Sequence, residues 1–325
     1  MFQRFYTIVS STVVETIRQP IFGVLLFATA MLMVFNVSLA AFTLSDDDKL
    51  LLDLGLNTLL LSGLFLAAFA AAGVVSREIE NKTAITVISK PVSRPLFITA
   101  KFAGVVAALT LAFYLSFLIF VLSQRHGVLQ NTSDPFDQPV IFLGGGSLLL
   151  GLVGAAFCNY FYGVNFPTTA IALVTPLLTL AVVAVGFLDE KWTPIPFGSN
   201  FVGGQVVLAA YLVYLTVVVI AGVAVAVSTR CGQLVTLLIC TAILGVGNIS
   251  DYAFGQYAAT STLALAAYHL VPNLGVFWVI DGLMAGTEAT AVPLSYLGFA
   301  TAYASLISVG LVALAILGFQ RRELA

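Results

Sequence analysis

Ionisable side chains are concentrated between residues 77 and 101, in the segment REIENKTAITVISKPVSRPLFITAK. Five of the thirteen basic residues lie there: Arg77, Lys82, Lys90, Arg94 and Lys101. Charges of both signs beside an apolar stretch suit the docking of a protein partner by charge complementarity. The alternative is a plain charged loop that only fixes the topology of the chain in a membrane.

Sequence motifs for catalysis are missing from the chain. It has no G-x-x-x-x-G-K-[ST] loop for ATP, no HExxH and no GxSxG. Cys158, Cys231 and Cys240 have no paired spacing and are interpreted as small packing residues. His126 and His269 have no cysteine or carboxylate at ligand spacing and are interpreted as polar surface or interface residues. We therefore expect no enzyme activity, no metal site and no cofactor in this chain.

The composition defines the environment in which the charged segment must lie. Hydrophobic residues make up 60% of the chain, charged residues 9%, and the mean hydropathy is +1.06. A soluble domain has about a quarter charged residues, so this chain lacks the polar surface that water requires. The composition predicts an all-α integral membrane protein.

Apolar runs of about twenty residues, the length needed to cross a bilayer, predict a polytopic bundle of eight spans. They cover residues 21–43, 54–75, 102–122, 139–161, 168–188, 205–228, 232–249 and 297–319. A six-span core is the alternative, with the fourth and fifth spans added as a hairpin around the YGVNFP turn. Residues 2–19 have helical apolar spacing before Pro20, which predicts an amphipathic helix on the membrane surface.

The distribution of charge predicts the orientation of the spans. Ten basic residues fall in the loops and termini on one side, and only Lys49, Arg125 and Lys191 fall on the other. By the positive-inside rule, the first side is cytoplasmic and includes both termini and residues 77–101.

Residues 251–293 differ from the rest of the apolar sequence. Two apolar pieces, 258–271 and 276–284, are separated by Pro272 and Asn273, and each is too short to span a bilayer. We expect an extracytoplasmic re-entrant or interfacial segment before the last span. Its aromatic residues suit the headgroup level, although ordinary packing explains them equally well.

The spans themselves favour a bundle without its own energy source. No span has a charged or histidine residue at its centre, where ion-coupled transporters usually place such groups. Small residues are frequent in the second and fourth spans, which favours a compact bundle and allows a homodimer. Within the cytoplasmic segment 77–95 we expect a short amphipathic helix that ends before Pro91, and pressure on it would tilt the two neighbouring spans together.

The motif in this segment resembles the one that follows the second span in type-2 ABC transporter permeases. It consists of RE-x-E-x-x-T from Arg77 to Thr83, then ISKPVSR, then Phe97 and Lys101. The amphipathic helix at 2–19, the broken segment at 258–284, the VSTR sequence at 227–230 and the FQRRE sequence at 319–323 are similar to other features of that family. Members usually have six spans, whereas this chain has eight predicted ones.

The resemblance implies that the chain, a single permease domain over 1–325, is the membrane subunit of an ABC exporter in the cell inner membrane. A separate ATPase subunit would bind ATP and magnesium, and the permease would pair with a second copy or a related permease. The resemblance implies that the segment 77–95 contains the coupling helix that docks on the ATPase. It assigns this docking to Arg77, Glu78, Glu80, Lys82, Thr83, Lys90, Pro91 and Arg94. A secondary transporter or channel, and a membrane scaffold that recruits a cytosolic protein, are the alternatives. No nucleic-acid partner is expected, and the substrate is not encoded in any motif.

Overall fold

The computed structural model describes residues 2–41, 47–76, 93–129, 135–280 and 292–320. Within those ranges every extended regular element is a helix, and one isolated antiparallel bridge joins Leu188 to Pro194. The helices are α1 (Phe2–Arg18), α2 (Pro20–Ala40), α3 (Asp47–Ala71), α4 (Arg94–His126), α5 (Gly146–Tyr162), α6 (Phe166–Val185), α7 (Gly204–Ser228), α8 (Gln233–Asn248), α9 (Ser250–Ala253), α10 (Thr262–Leu270) and α11 (Leu294–Gln320).

Seven helical segments in the described part of the chain are long and apolar enough to cross a membrane. They coincide with seven of the eight predicted spans, so the prediction of an all-helical, multi-pass membrane protein is confirmed. The predicted span at 232–249 is α8, which has only 16 residues. It counts as an eighth crossing if it is joined to Ser250–Tyr257, from which it is bent by 69°. The six-span alternative treated the fourth and fifth spans as an added hairpin. Both of these segments, Val140–Tyr162 and Phe166–Val185, are also long and apolar enough to cross a membrane.

The chain forms two compact units. The first contains Met1–Thr16, Gly63–Thr110 and Leu208–Ala325, and the second contains Ile17–Ser62 and Leu111–Val207. Helices α3 and α4 therefore each contribute to both units. The single permease domain over 1–325 stays a prediction.

Helix α7 is largely enclosed, with 15 of its 25 residues buried. A glycine on α3 makes room for it. A Cβ atom added to Gly63 of α3 would lie 2.3 Å from Cγ2 of Val217. Packing of this closeness replaces the hydrophobic effect, which does not drive helices together in lipid. Small residues of the second span were predicted to allow close packing. The alanines among them that belong to α3 are all buried: Ala67, Ala68, Ala70 and Ala71.

In the second unit, helices α5 and α6 form an antiparallel hairpin. Gly163 ends α5 in the left-handed conformation, with φ 65°, which a residue with a side chain rarely adopts. The Asn165 side chain then caps α6 by accepting hydrogen bonds from the backbone N–H and the hydroxyl of Thr168. Farther along, Gly151 of α5 approaches Val174 of α6 closely. The YGVNFP sequence thus makes a tight turn between two long helices.

A buried ion pair also holds the second unit together. Nε of Arg125, at the end of α4, lies 2.9 Å from Oδ2 of Asp137, and both side chains are at most 3% exposed. The guanidinium also donates to the carbonyl oxygens of Val185 and Leu188 at the end of α6. Asp137 accepts from the backbone N–H of Val140. Arg125 was predicted to lie on the outer side of the membrane, and the ion pair explains how both charges can be buried.

Residues 251–280 are irregular, as the broken apolar pattern predicts. Helix α10 ends at Leu270, the chain is extended at Val271, and a 3₁₀ turn covers Gly275–Phe277. Tyr257 is exposed, whereas the hydroxyl of Tyr296 donates to the carbonyl of Val276. The re-entrant or interfacial position of this segment in a membrane stays a prediction, and its continuation over 281–291 lies outside the described residues.

The close approach of α3 to α7 generates a test. Replacing Gly63 by alanine forces a methyl group into Val217, and overpacking of this kind costs about 1–3 kcal/mol. We expect the Gly63→Ala protein to melt at a lower temperature than the wild type in the same detergent. Gly245→Ala is the matched control, because an added Cβ there meets nothing within 4 Å. Equal melting temperatures for the two variants would contradict the packing described here.

Candidate docking site

Seven of the eight predicted docking residues, those from Arg77 to Pro91, lie outside the described residues. Arg94 is the eighth, and it is the first residue of α4. The coupling helix at 77–95 therefore stays a prediction. The structure instead shows the contacts of the end of α3 and the start of α4, which flank this segment.

The segment leaves α3 through a wide helical turn. Residues Ala72–Ser76 are π-helical, and the side chains of Ala72, Val74 and Val75 are at most 1% exposed. Turns of this kind are rare and are frequent at functional sites. The turn that directly precedes the basic segment is thus firmly packed.

On the other side of the segment, Arg94 is bonded to the end of α11. Its Nη1 atom donates to the carbonyl oxygen of Gln320 at 2.9 Å, and the guanidinium carbon lies 6.0 Å from the centre of the Phe319 ring. The last carbonyls of a helix lack partners within the helix and have partial negative charge, so a cation stabilises them. Arg94 is half-buried and uses part of its hydrogen-bonding capacity inside the chain.

A second arginine caps the same helix end. Nη2 of Arg230, which follows α7, donates to the carbonyl oxygen of Gly318 at 3.3 Å. Gly318 lets the two segments approach, because a Cβ atom there would lie 3.1 Å from Oγ1 of Thr229. The VSTR sequence noted above therefore contacts the C-terminal end of α11.

Aromatic packing joins α4 to α11 beneath these hydrogen bonds. The rings of Phe97 and Phe319 are stacked with their centres 5.8 Å apart, and both side chains are at most 1% exposed. Nζ of Lys101, one turn farther along α4, lies 5.6 Å from the centre of the Phe97 ring. A cation at this distance from an aromatic face is attracted to it.

Lys101 also connects α4 to α1. Its Nζ atom lies 3.3 Å from Oε2 of Glu15. Nearby, Gly104 lets α1 approach so closely that an added Cβ atom would lie 2.5 Å from Cβ of Thr12. Lys101 was expected to lie in water with the other basic residues of the segment. That expectation was wrong: the residue is 3% exposed, because α1 covers it and supplies the carboxylate that compensates its charge.

We call this arrangement the Arg94 cluster, and it consists of Glu15, Arg94, Phe97, Lys101, Arg230 and Phe319. Its chemistry is charge pairing, helix capping and ring packing. It connects α1, the start of α4, the end of α7 and the end of α11 within one compact unit. A displacement of the start of α4 would be passed to the other helices, because buried packed contacts deform little.

The spans of the same unit also contain polar contacts. Thr110 of α4 and Tyr214 of α7 are in hydrogen-bond contact at 2.7 Å, and Tyr211 of α7 and Thr301 of α11 at 3.0 Å. Each threonine also donates to a carbonyl of its own helix. The tyrosine hydroxyl is therefore the donor in both pairs. Hydroxyl pairs between spans add modestly to helix association, at about 0.6 kcal/mol each on average.

Sequence reasoning found part of the cluster and missed the rest. Arg94 and Lys101 were identified from the density of basic residues. Glu15 was not singled out, because an acidic residue on a surface helix is common. Phe97 and Phe319 were noted only as members of the family-like motifs, and their contact with each other was not predicted. A weak signal existed in Glu15, the single acidic residue of α1, because a carboxylate close to a membrane needs a cation beside it.

Among the residues described here, no group of three or more His, Cys, Asp and Glu side chains is placed to hold a metal ion. Comparisons with protein-family models, with curated proteins and with solved structures find no match to this chain. The likeness to type-2 ABC permeases therefore stays a resemblance of motifs. Any proposal for function depends on the residues and contacts given above.

The ion pair between α1 and α4 can be tested directly. Glu15→Gln removes the carboxylate charge from a buried ammonium, and breaking a fully buried pair costs about 3–5 kcal/mol. We expect Glu15→Gln to melt at a lower temperature than the wild type. The loss in free energy of unfolding should be smaller than for a fully buried pair, because the Glu15 side chain is 38% exposed. The double variant Glu15→Leu/Lys101→Met leaves no buried charge and should recover stability.

The control for this prediction is Glu190→Gln, which makes the same change at an exposed position in the loop between α6 and α7. Unfolding of all four proteins is followed by fluorescence in one detergent. If Glu15→Gln and Glu190→Gln melt at the same temperature as the wild type, the pair does not stabilise the docking of α1 on α4.

Proposed function

We propose that this chain is the membrane-spanning permease subunit of an ABC exporter, and that alternating access in it is driven by a separate ATPase subunit. The observation that supports this most is the Arg94 cluster. The basic segment 77–101 is joined at its C-terminal end to α11 and α1, through contacts in which Phe97, Lys101 and Phe319 are buried. A loop that served only to fix topology would not need such connections.

In this proposal the ATPase docks on the coupling helix through Arg77, Glu78, Glu80, Lys82, Thr83 and Lys90, and Pro91 ends that helix. These residues act by charge complementarity with the partner. Arg94 has a different role: it positions the start of α4 against α11 through the carbonyl of Gln320. ATP and magnesium bind to the partner subunit.

The contacts of the first unit suggest how movement spreads. A force on the coupling helix acts on the start of α4. The stacked pair Phe97 and Phe319 passes it to α11, and the pair Lys101 and Glu15 passes it to α1. The hydroxyl pairs at Thr110 and Thr301 lie farther along the same helices, where a change in helix position would alter the substrate path.

The same proposal includes the assembly and its location. Two permease chains, identical or related, pair with two ATPase subunits in the cell inner membrane. The excess of basic residues places both termini and the coupling helix on the cytoplasmic side. Residues that select the substrate are not assigned.

Docking of an ATPase is the first test. The tagged wild type is purified from its native membrane beside Glu78→Lys/Glu80→Lys, which reverses two charges in the predicted coupling helix. We expect a P-loop ATPase to accompany the wild type and to be lost from the variant. Asp189→Lys/Glu190→Lys is the control with the same change in charge in the loop between α6 and α7, and it should retain the ATPase. A folded wild type that recovers no ATPase in mild detergent would overturn the proposal.

A second measurement separates a permease from a scaffold, because both would recover the ATPase. Thr110→Cys, in a background with the three native cysteines replaced by serine, reports access to the middle of α4. For a permease, the rate of maleimide labelling changes when the ATPase binds ATP, because the spans move. An unchanged rate in an assembled complex would support the scaffold. A secondary transporter would instead show transport in vesicles that contain no ATPase.

A further inference from the structure

A groove follows one side of α11 in the first unit, below the chain turn at Val271–Asn273. Its volume is about 510 Å³, within the roughly 300–1,000 Å³ range of small-molecule sites in proteins. One wall is a single face of α11 that includes Phe299, Tyr303, Ile307 and Leu314. Fifteen residues of helix separate the first of these from the last, which corresponds to roughly 22 Å along the helix axis.

The apolar part of the groove has an open floor. Gly310 lines it, and a Cβ atom added to Gly310 would meet no other atom within 4 Å. Helix α11 is one of the seven segments that can cross a membrane, and half of a bilayer core is about 15 Å thick. The wall is therefore long enough to accompany a hydrocarbon chain through one leaflet.

The other end of the groove is polar and fixed by hydrogen bonds. Oδ1 of Asp251 accepts from the hydroxyl of Tyr268 and from Nδ2 of Asn273, both at 2.8 Å. The backbone N–H of Asn273 donates to the hydroxyl of Tyr303 at 2.9 Å. Asp251 itself is exposed, and its hydrogen bond and charge raise the pKa of Tyr268 above the usual value. The phenol thus keeps its proton.

We propose that this groove is a specific site for one membrane phospholipid, with an acyl chain along α11 and a headgroup ammonium near Asp251. The lining that the structure describes has polar residues at one end and apolar residues along α11, which matches an amphiphile. It contains neither lysine nor arginine to pair with an anionic headgroup. Near Asp251, an ammonium headgroup is attracted and an anionic one is repelled. This inference does not depend on an ATPase partner.

Native mass spectrometry of the full chain tests the site. Delipidated protein is titrated with phosphatidylethanolamine and, separately, with phosphatidylglycerol of the same acyl chains. We expect one tightly bound phosphatidylethanolamine per chain and weaker binding of phosphatidylglycerol. Gly310→Leu fills the floor of the groove and should weaken phosphatidylethanolamine binding about tenfold, equivalent to about 1.4 kcal/mol.

Gly298→Leu is the matched control, because it makes the same change on α11 where an added Cβ also meets nothing, outside the groove. It should bind lipid as the wild type does. Asp251→Asn should remove the preference for the ammonium headgroup. Asp189→Asn is the control, because the Asp189 carboxylate also accepts a hydrogen bond from an asparagine, and this variant should keep the preference. Equal binding by the two leucine variants would overturn the site, and a wild-type preference for phosphatidylglycerol would overturn the headgroup assignment.

Discussion

The structure depends on one constraint: inside a bilayer, water does not satisfy the hydrogen bonds of the backbone. Each apolar stretch must therefore satisfy its own N–H and C=O groups, and the α-helix does this within a single segment. The same rule explains where the described chain leaves the helical conformation. Irregular backbone occurs at the ends of helices, in the loop between α6 and α7, and between α8 and α11, where the hydroxyls of Ser261 and Tyr303 accept hydrogen bonds from backbone N–H groups.

Packing between the helices follows from the same environment. Since apolar side chains are as well solvated by lipid as by each other, close contact has to supply the attraction. Helix α7 is enclosed because Gly63 and Gly222 let Val217 and Leu311 approach. Once helices are this close, a hydroxyl pair such as Thr110 and Tyr214 adds direction to the contact. The bundle is thus specified by small residues more than by large ones.

Buried charges are tolerated only where the fold compensates them. Arg125 is enclosed because Asp137 and two helix-end carbonyls surround it, and Lys101 is enclosed because Glu15 and the Phe97 ring lie beside it. Arg125 lies at a helix end, where free carbonyls and polar loops reduce the cost of removing a charge from water. Lys101 lies about two turns inside α4, where the carboxylate of Glu15 compensates its charge. The Arg94 cluster thus combines charged side chains with tight packing.

The sequence by itself determined the class of the protein, because hydropathy is a sum over residues and needs no partner. It located seven membrane helices, the helix at Phe2–Arg18, and the break near Pro272. It also indicated that Arg94 and Lys101 belong to an unusual segment. Only the tertiary structure decided that Lys101 is buried beside Glu15, 86 positions away, and that Arg94 caps a helix 226 positions away. Pairings between residues so far apart in the sequence depend on how the helices pack. A single sequence shows which residues lie on each face of a helix, but not which other helix packs against that face.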